Sequence, residues 1–192
     1  MPLARSLLVC ASLLLAAQVL ASDVGRPAPA FSLKDEVGVS HALDQYRGKI
    51  VVLEWTSTEC PFVQRHYAHR TMQTTLASLS GKNVVWLAVD STGHNTPERS
   101  KEWKAEKGFS YPVLQDPDGK VGHAYGAKTT PHMFVIDEKG VLRYAGAIDD
   151  DPRGRSPAPT NYVQKAVTAV AAGQPVSPST SDPYGCTVKY GS

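Results

Sequence analysis

The chain has 192 residues, with 20 Lys and Arg against 18 Asp and Glu, a formal net charge of +2, and 42% hydrophobic residues. That length and composition suit one globular domain with its own core. Acids and bases are interspersed along the chain, which excludes a basic patch for nucleic acid or a membrane surface, so no nucleic-acid partner is expected.

At the N-terminus, Arg5 is followed by an uncharged run from Ser6 to Ala21, rich in Leu, Val and Ala and ending Val19-Leu20-Ala21 before Ser22. Residues 1–21 read as a secretory signal peptide cleaved after Ala21, with a retained membrane anchor as the alternative. Cleavage predicts a periplasmic or secreted protein with no membrane span in its mature form. Cys10 lies inside that run and leaves with it. Cys60 and Cys186 remain, in a compartment that permits disulfides.

An extended, proline-marked lead-in (Arg26 to Pro29, then Phe31-Ser32-Leu33) precedes Ile50-Val51-Val52-Leu53-Glu54-Trp55, a continuous apolar run suited to a buried strand. Cys60 follows that strand. Pro61 then opens a helix whose Phe62, Tyr67, Met72, Leu76 and Leu79 share a face and which Gly81 ends. Val84-Val85-Trp86-Leu87-Ala88-Val89 is a second buried strand, and the short connection implies a right-handed crossover, a βαβ unit.

Thr96-Pro97-Glu98 supplies cap, first-turn proline and acidic first turn for a helix that carries Trp103 and stops at Gly108. A short strand at Pro112-Val113-Leu114 leads to the Asp116-Pro117-Asp118-Gly119 turn and a brief helix through Val121 to Tyr125. His132 to Ile136 and Val141 to Ala145 form a hairpin about Asp137-Glu138-Lys139-Gly140. Thr160 caps a last helix whose Val163, Val167 and Val170 form an apolar stripe. The order is βαβ, an inserted helix and strand, then ββα, with the domain spanning residues 22–173. The tail, residues 174–192, is rich in Pro, Ser and Gly and is expected to be irregular.

A cysteine between a buried strand and a helix-opening proline sits where a thiol becomes reactive. With Cys60 as N-cap and Pro61 at the first helical position, the sulfur faces unpaired amide donors and the positive end of the helix dipole, which favours thiolate. Glu59 opposes this if its carboxylate points the same way. A buried structural cysteine is the alternative. Glu54 is either a buried proton acceptor or turned away by strand alternation. His66 and His69 are three apart on the helix and read either as a solvated face or, with Cys60, as a copper or zinc site. His132, Arg143 and Arg65 are further candidate neighbours of Cys60.

Cys60-Pro61-Phe62-Val63, Thr129-Thr130-Pro131 before a strand, Tyr144-Ala145-Gly146-Ala147-Ile148-Asp149-Asp150 after the hairpin and the terminal Gly185-Cys186-Thr187-Val188-Lys189-Tyr190 together resemble the thioredoxin-like superfamily. Within it, the chain is most similar to a peroxiredoxin-like branch of the alkyl hydroperoxide reductase/thiol-specific antioxidant, or redoxin, family. The resemblance implies an α/β thioredoxin-like fold with a central mixed β-sheet flanked by helices. It also implies that Pro131 is a cis-proline beside Cys60, leaving the Thr130 backbone to pair with an extended substrate.

The chain departs from the pattern in three places. Val63 stands where thioredoxins carry their second cysteine, Leu53 and Ser57 stand where peroxiredoxins carry Pro and Thr, and their catalytic arginine falls at Pro131. These departures remove groups that orient a peroxide. Cys186 restores a two-cysteine mechanism if it condenses with an oxidised Cys60; a structural staple or an unpaired thiol are its other readings.

The expectation is therefore an exported thiol-dependent oxidoreductase without a cofactor. Cys60 is its nucleophile on a peroxide or protein disulfide, Cys186 its resolving thiol, and Thr130 and Pro131 its substrate face, with an external thiol reductant as partner. A non-catalytic binding module, or a metal carrier using Cys60, His66 and His69, is the competing reading.

Overall fold

A computed structural model describes residues 24–191. The signal peptide expected over residues 1–21 lies outside the described residues. Among the described residues no helix is long and apolar enough to cross a membrane.

The elements follow the order β1 (Ser32–Lys34), β2 (Ser40–Ala42), β3 (Ile50–Trp55), α1 (Pro61–Ala68), α2 (Thr71–Ser78), β4 (Val84–Asp90), α3 (Pro97–Lys107) and β5 (Val113–Gln115). They continue with α4 (Lys120–Tyr125), β6 (Thr129–Thr130), β7 (His132–Ile136), β8 (Leu142–Gly146), α5 (Tyr162–Ala171) and β9 (Cys186–Thr187). Seven strands form a mixed sheet in the order β2-β1-β5-β4-β3-β7-β8. β3, β4 and β5 run parallel, and β7 pairs antiparallel with both β3 and β8.

β3 is central and buried at every residue, which is why its sequence is apolar at every position but Glu54 rather than alternating. Its alternation still sorts the core into two layers. Ile50 and Val52 join the layer that contains Cys60, Tyr67, Trp86 and the α5 stripe. Val51, Leu53 and Trp55 join the opposite layer with Leu87, Tyr125 and Phe134. Glu54 has the parity of Ile50 and Val52, so its carboxylate lies on the Cys60 side of the sheet.

The single helix expected from Pro61 to Gly81 is two helices. Tyr67 and Met72 are both buried and are five residues apart, an advance of about 500° that puts them on different faces of one helix. Arg70, in a left-handed conformation at φ 57°, breaks the helix and resets its phase. The cap of α5 also moves: the Asn161 side chain accepts from Gln164 N, while the Thr160 amide donates to Asp150 Oδ1 outside the helix. The tail differs most from expectation. It is irregular through Gly185 but then forms β9, which pairs antiparallel with β6.

Candidate functional site

Cys60 is the N-cap of α1, in an extended conformation, with Pro61 opening the helix. β3 delivers the chain to this corner, and the side chain is 3% exposed. The Thr130–Pro131 peptide is cis, and the Thr130 carbonyl accepts from the Cys60 thiol at 2.9 Å. The Thr129-Thr130-Pro131 turn and the start of α1 thus meet at the sulfur.

β9 brings the second thiol to the same point. Thr130 is directly opposite Cys186 in the β6/β9 ladder, and the two sulfurs are 2.9 Å apart. All four residues singled out from the sequence, Cys60, Thr130, Pro131 and Cys186, therefore converge, although 126 positions separate the thiols along the chain.

The two thiols are polarised in opposite directions. Burial pushes Cys60 up, but the Cys186 thiol, the Thr130 side chain and the backbone amides of Val63 and Cys186 outweigh it, and the net shift is downward. Cys186 is pushed up to about 11 by desolvation and then by the hydrogen bond to Cys60 and its charge. Glu59 is ion-paired on the surface: Lys189, His94 and Arg99 bond its carboxylate and hold its pKa at about 2.

The other candidates sort clearly. Glu54 is fully buried and accepts from Tyr67, Trp86 and Tyr111, and desolvation raises its pKa to about 7. Arg65 is directed at the carbonyls of Asp151 and Pro152, and Arg143 at Asp137. His132 Nδ1 accepts from the Lys128 amide, and burial lowers its pKa to about 4.

His66 is buried and bonded to Tyr184, whereas His69 is exposed. Among the described residues no group of three or more His, Cys, Asp or Glu side chains is arranged to hold a metal ion. The metal-carrier arrangement of Cys60, His66 and His69 is not formed.

Sequence reasoning missed the residues that fasten the tail. The Tyr184 hydroxyl donates to Asp149 and pairs with His66 at 3.1 Å, and its ring lies against Phe62. Ser181 Oγ accepts from the Ala147 amide and pairs with the Tyr144 hydroxyl. Beyond β9, Lys189 reaches Glu59, and Tyr190 donates to the Ala127 carbonyl while stacking on His123. These contacts follow no period along the chain.

A helix-capping cysteine facing a cis-proline turn, on a mixed sheet flanked by helices, marks the thioredoxin-like fold, and its relatives place the chain in the oxidoreductase class. The chain belongs to the AhpC/TSA family, which matches residues 24–145. That span holds Cys60, Thr130 and Pro131 but not Cys186.

Relatives include a protein of Mycobacterium tuberculosis H37Rv with peroxiredoxin in its name. It is 29% identical over 128 residues, covering 66% of this chain and 78% of the relative. Thiol-disulfide oxidoreductase ResA of Geobacillus thermodenitrificans is 31% identical over 121 residues, 62% of this chain and 67% of its own length. The crystal structure of a hypothetical protein from Sinorhizobium meliloti superposes with a TM-score of 0.80 at 26% identity, covering 90% of this chain and 97% of that one.

Proposed function

We propose that the protein is an exported two-cysteine thiol oxidoreductase in which Cys60 attacks a disulfide and Cys186 resolves the product. The observation that carries this reading is the juxtaposition of the two sulfurs, one biased toward thiolate and the other toward thiol. The Cys60 thiolate attacks one sulfur of a substrate disulfide, that S–S bond breaks, and the first substrate thiolate leaves. Cys60 then carries a mixed disulfide and no charge, so one of the groups that holds the Cys186 pKa up is gone. Cys186 loses its proton and attacks the Cys60 sulfur, which releases the second substrate thiol and leaves a Cys60–Cys186 disulfide.

The substrate has gained two electrons, and an external dithiol restores the pair. Its attack falls on Cys186, the more exposed sulfur, and Cys60 leaves as the thiolate of lower pKa. Attack on a peroxide would give a Cys60 sulfenic acid that condenses with Cys186 to the same disulfide. Exchange with a disulfide is favoured because Arg65 and Arg143 are engaged elsewhere and do not polarise a peroxide at the sulfur. The Ser6–Ala21 run supports export to a compartment where such a disulfide persists.

The test is equilibration of the mature protein in redox buffers, with the Cys60–Cys186 linkage mapped by mass spectrometry. A reversible disulfide with a potential well above about −300 mV supports the cycle, whereas a lower one makes the bond a staple. Cys60→Ser is expected to abolish disulfide reduction, and full activity in that variant overturns the reading.

A further inference from the structure

β6 and β9 form a two-stranded ladder outside the main sheet, with Thr129 opposite Thr187 and Thr130 opposite Cys186. The β6 edge immediately precedes the cis peptide at Pro131, and its last carbonyl accepts from the Cys60 thiol. A strand edge with free N–H and C=O groups takes up extended polypeptide by strand addition. This edge is the place where a polypeptide would lie with its own sulfur against Cys60, and the chain's own tail already lies there.

We infer that residues 184–190 are a built-in occupant of the polypeptide-docking edge beside Cys60, so that a protein disulfide reaches Cys60 only by displacing the tail, whereas a small disulfide needs no strand pairing. The inference rests on Cys60 being the nucleophile and adds which class of disulfide reaches it.

The tail is shaped for this position. Gly185 has φ +144°, and a Cβ there would fall 2.1 Å from the Thr130 carbonyl oxygen, so only glycine allows the approach. Tyr184, on the N-terminal side of β9, is tied to Asp149 and His66. On the C-terminal side the Val188 amide donates to Lys128 O, the Gly93 amide donates to Lys189 O, and the buried Val188 side chain enters the core layer of Trp55 and Phe134. The ladder itself is only two residues long, and these flanking clamps hold it in register. A tethered occupant acts at an effective concentration of roughly millimolar, which micromolar free polypeptide does not match.

The test uses the mature chain, from which Cys10 is absent, with Cys186→Ser, which keeps the tail and leaves Cys60 as the reacting thiol. It is compared with the same chain carrying Gly185→Val, and with a chain ending at Asp182 in case the valine disturbs folding. Each is mixed with Ellman's reagent, a small disulfide, and with a synthetic peptide whose cysteine carries thionitrobenzoate. In both reactions Cys60 bonds to the attacked sulfur, the S–S bond breaks, and thionitrobenzoate leaves with the electron pair and is read by absorbance.

Freeing the edge is expected to raise the peptide rate about tenfold more than the small-reagent rate. An unchanged ratio of the two rates overturns the inference. A fluorescein-labelled peptide of residues 179–191 with Cys186→Ser gives a readout independent of thiol chemistry. It is expected to bind the Gly185→Val chain saturably and the chain with an intact tail about tenfold more weakly, and the absence of saturable binding to either overturns the inference. If the peptide binds as expected but Cys60 reacts with neither reagent in any chain, the oxidoreductase reading fails and the docking edge stands.

Discussion

The two thiols meet at one point but are held there by different means. Cys60 stands where a fully buried strand hands over to a helix, positioned by regular elements whose side chains belong to continuous core layers. Cys186 stands on a two-residue strand in an otherwise irregular segment, positioned by separate clamps at Ser181, Tyr184, Val188, Lys189 and Tyr190. The first arrangement fails only when the domain unfolds, whereas the second can be undone locally. The resolving role proposed for Cys186 gains from such a mounting, because the thiol can move when its sulfur changes state.

The largest effect that breaks this comparison is a cavity in the core layer on the other side of the sheet from Cys60. Phe134 is 1% exposed and packs against Trp55 and Tyr125. Phe134→Ala is expected to lower unfolding free energy by about 3 to 5 kcal/mol in urea titration, releasing both thiols together. A change confined to Cys186 would contradict a globally built corner.

Next is the pH dependence of stability. The folded pKa of Glu54 is raised to about 7, so its protonated form is favoured in the native state. The associated stability is fully present below the unfolded pKa near 4.5 and is lost as pH rises through 7, by about 3 kcal/mol in all. His66 acts with the opposite sign: its folded pKa, lowered to about 4 chiefly by burial, gives stability that is present above 6.5 and lost as pH falls through 4. Urea midpoints of Glu54→Gln measured from pH 5 to 8 are expected to lose the decline that the parent chain shows. An unaltered slope would remove Glu54 as its source.

Tyr184→Phe sharpens the comparison on the tail side. It removes the hydroxyl that joins Asp149 to His66 and is expected to cost about 1 to 2 kcal/mol of tail docking. Read as the glutathione equilibrium of the Cys60–Cys186 disulfide, that is a fall of about 5- to 30-fold in the effective concentration of Cys186, with the urea midpoint of the core nearly unchanged. The smallest effect is Lys189→Ala. Its partner Glu59 is exposed and shared with His94 and Arg99, so the same equilibrium is expected to move by less than about twofold and to lose even that in high salt.

The Cys60 side of the molecule was legible in the chain because its signals are local. Continuous apolar strands, Pro61 after Cys60, the Thr96 cap and Gly108 each state a conformation within a few residues. The break at Arg70 was also present, in the five-residue gap between Tyr67 and Met72, but it is easily read as one continuous apolar face. Glu54 could be placed only once the register of β3 against β4 and β7 assigned its parity to a core layer.

By itself, then, the sequence determined the strand-to-helix corner on which Cys60 stands and the order of elements that builds the sheet. Local propensity and hydrophobic period act over a few residues, and those features need no more. Only the tertiary structure decided that Cys186 returns to Cys60, that Glu59 is ion-paired, and that the tail lies on the β6 edge. Each depends on side chains from distant segments meeting by hydrogen bond or close backbone approach, as Gly185 meets Thr130, and such contacts leave no periodic trace in the chain.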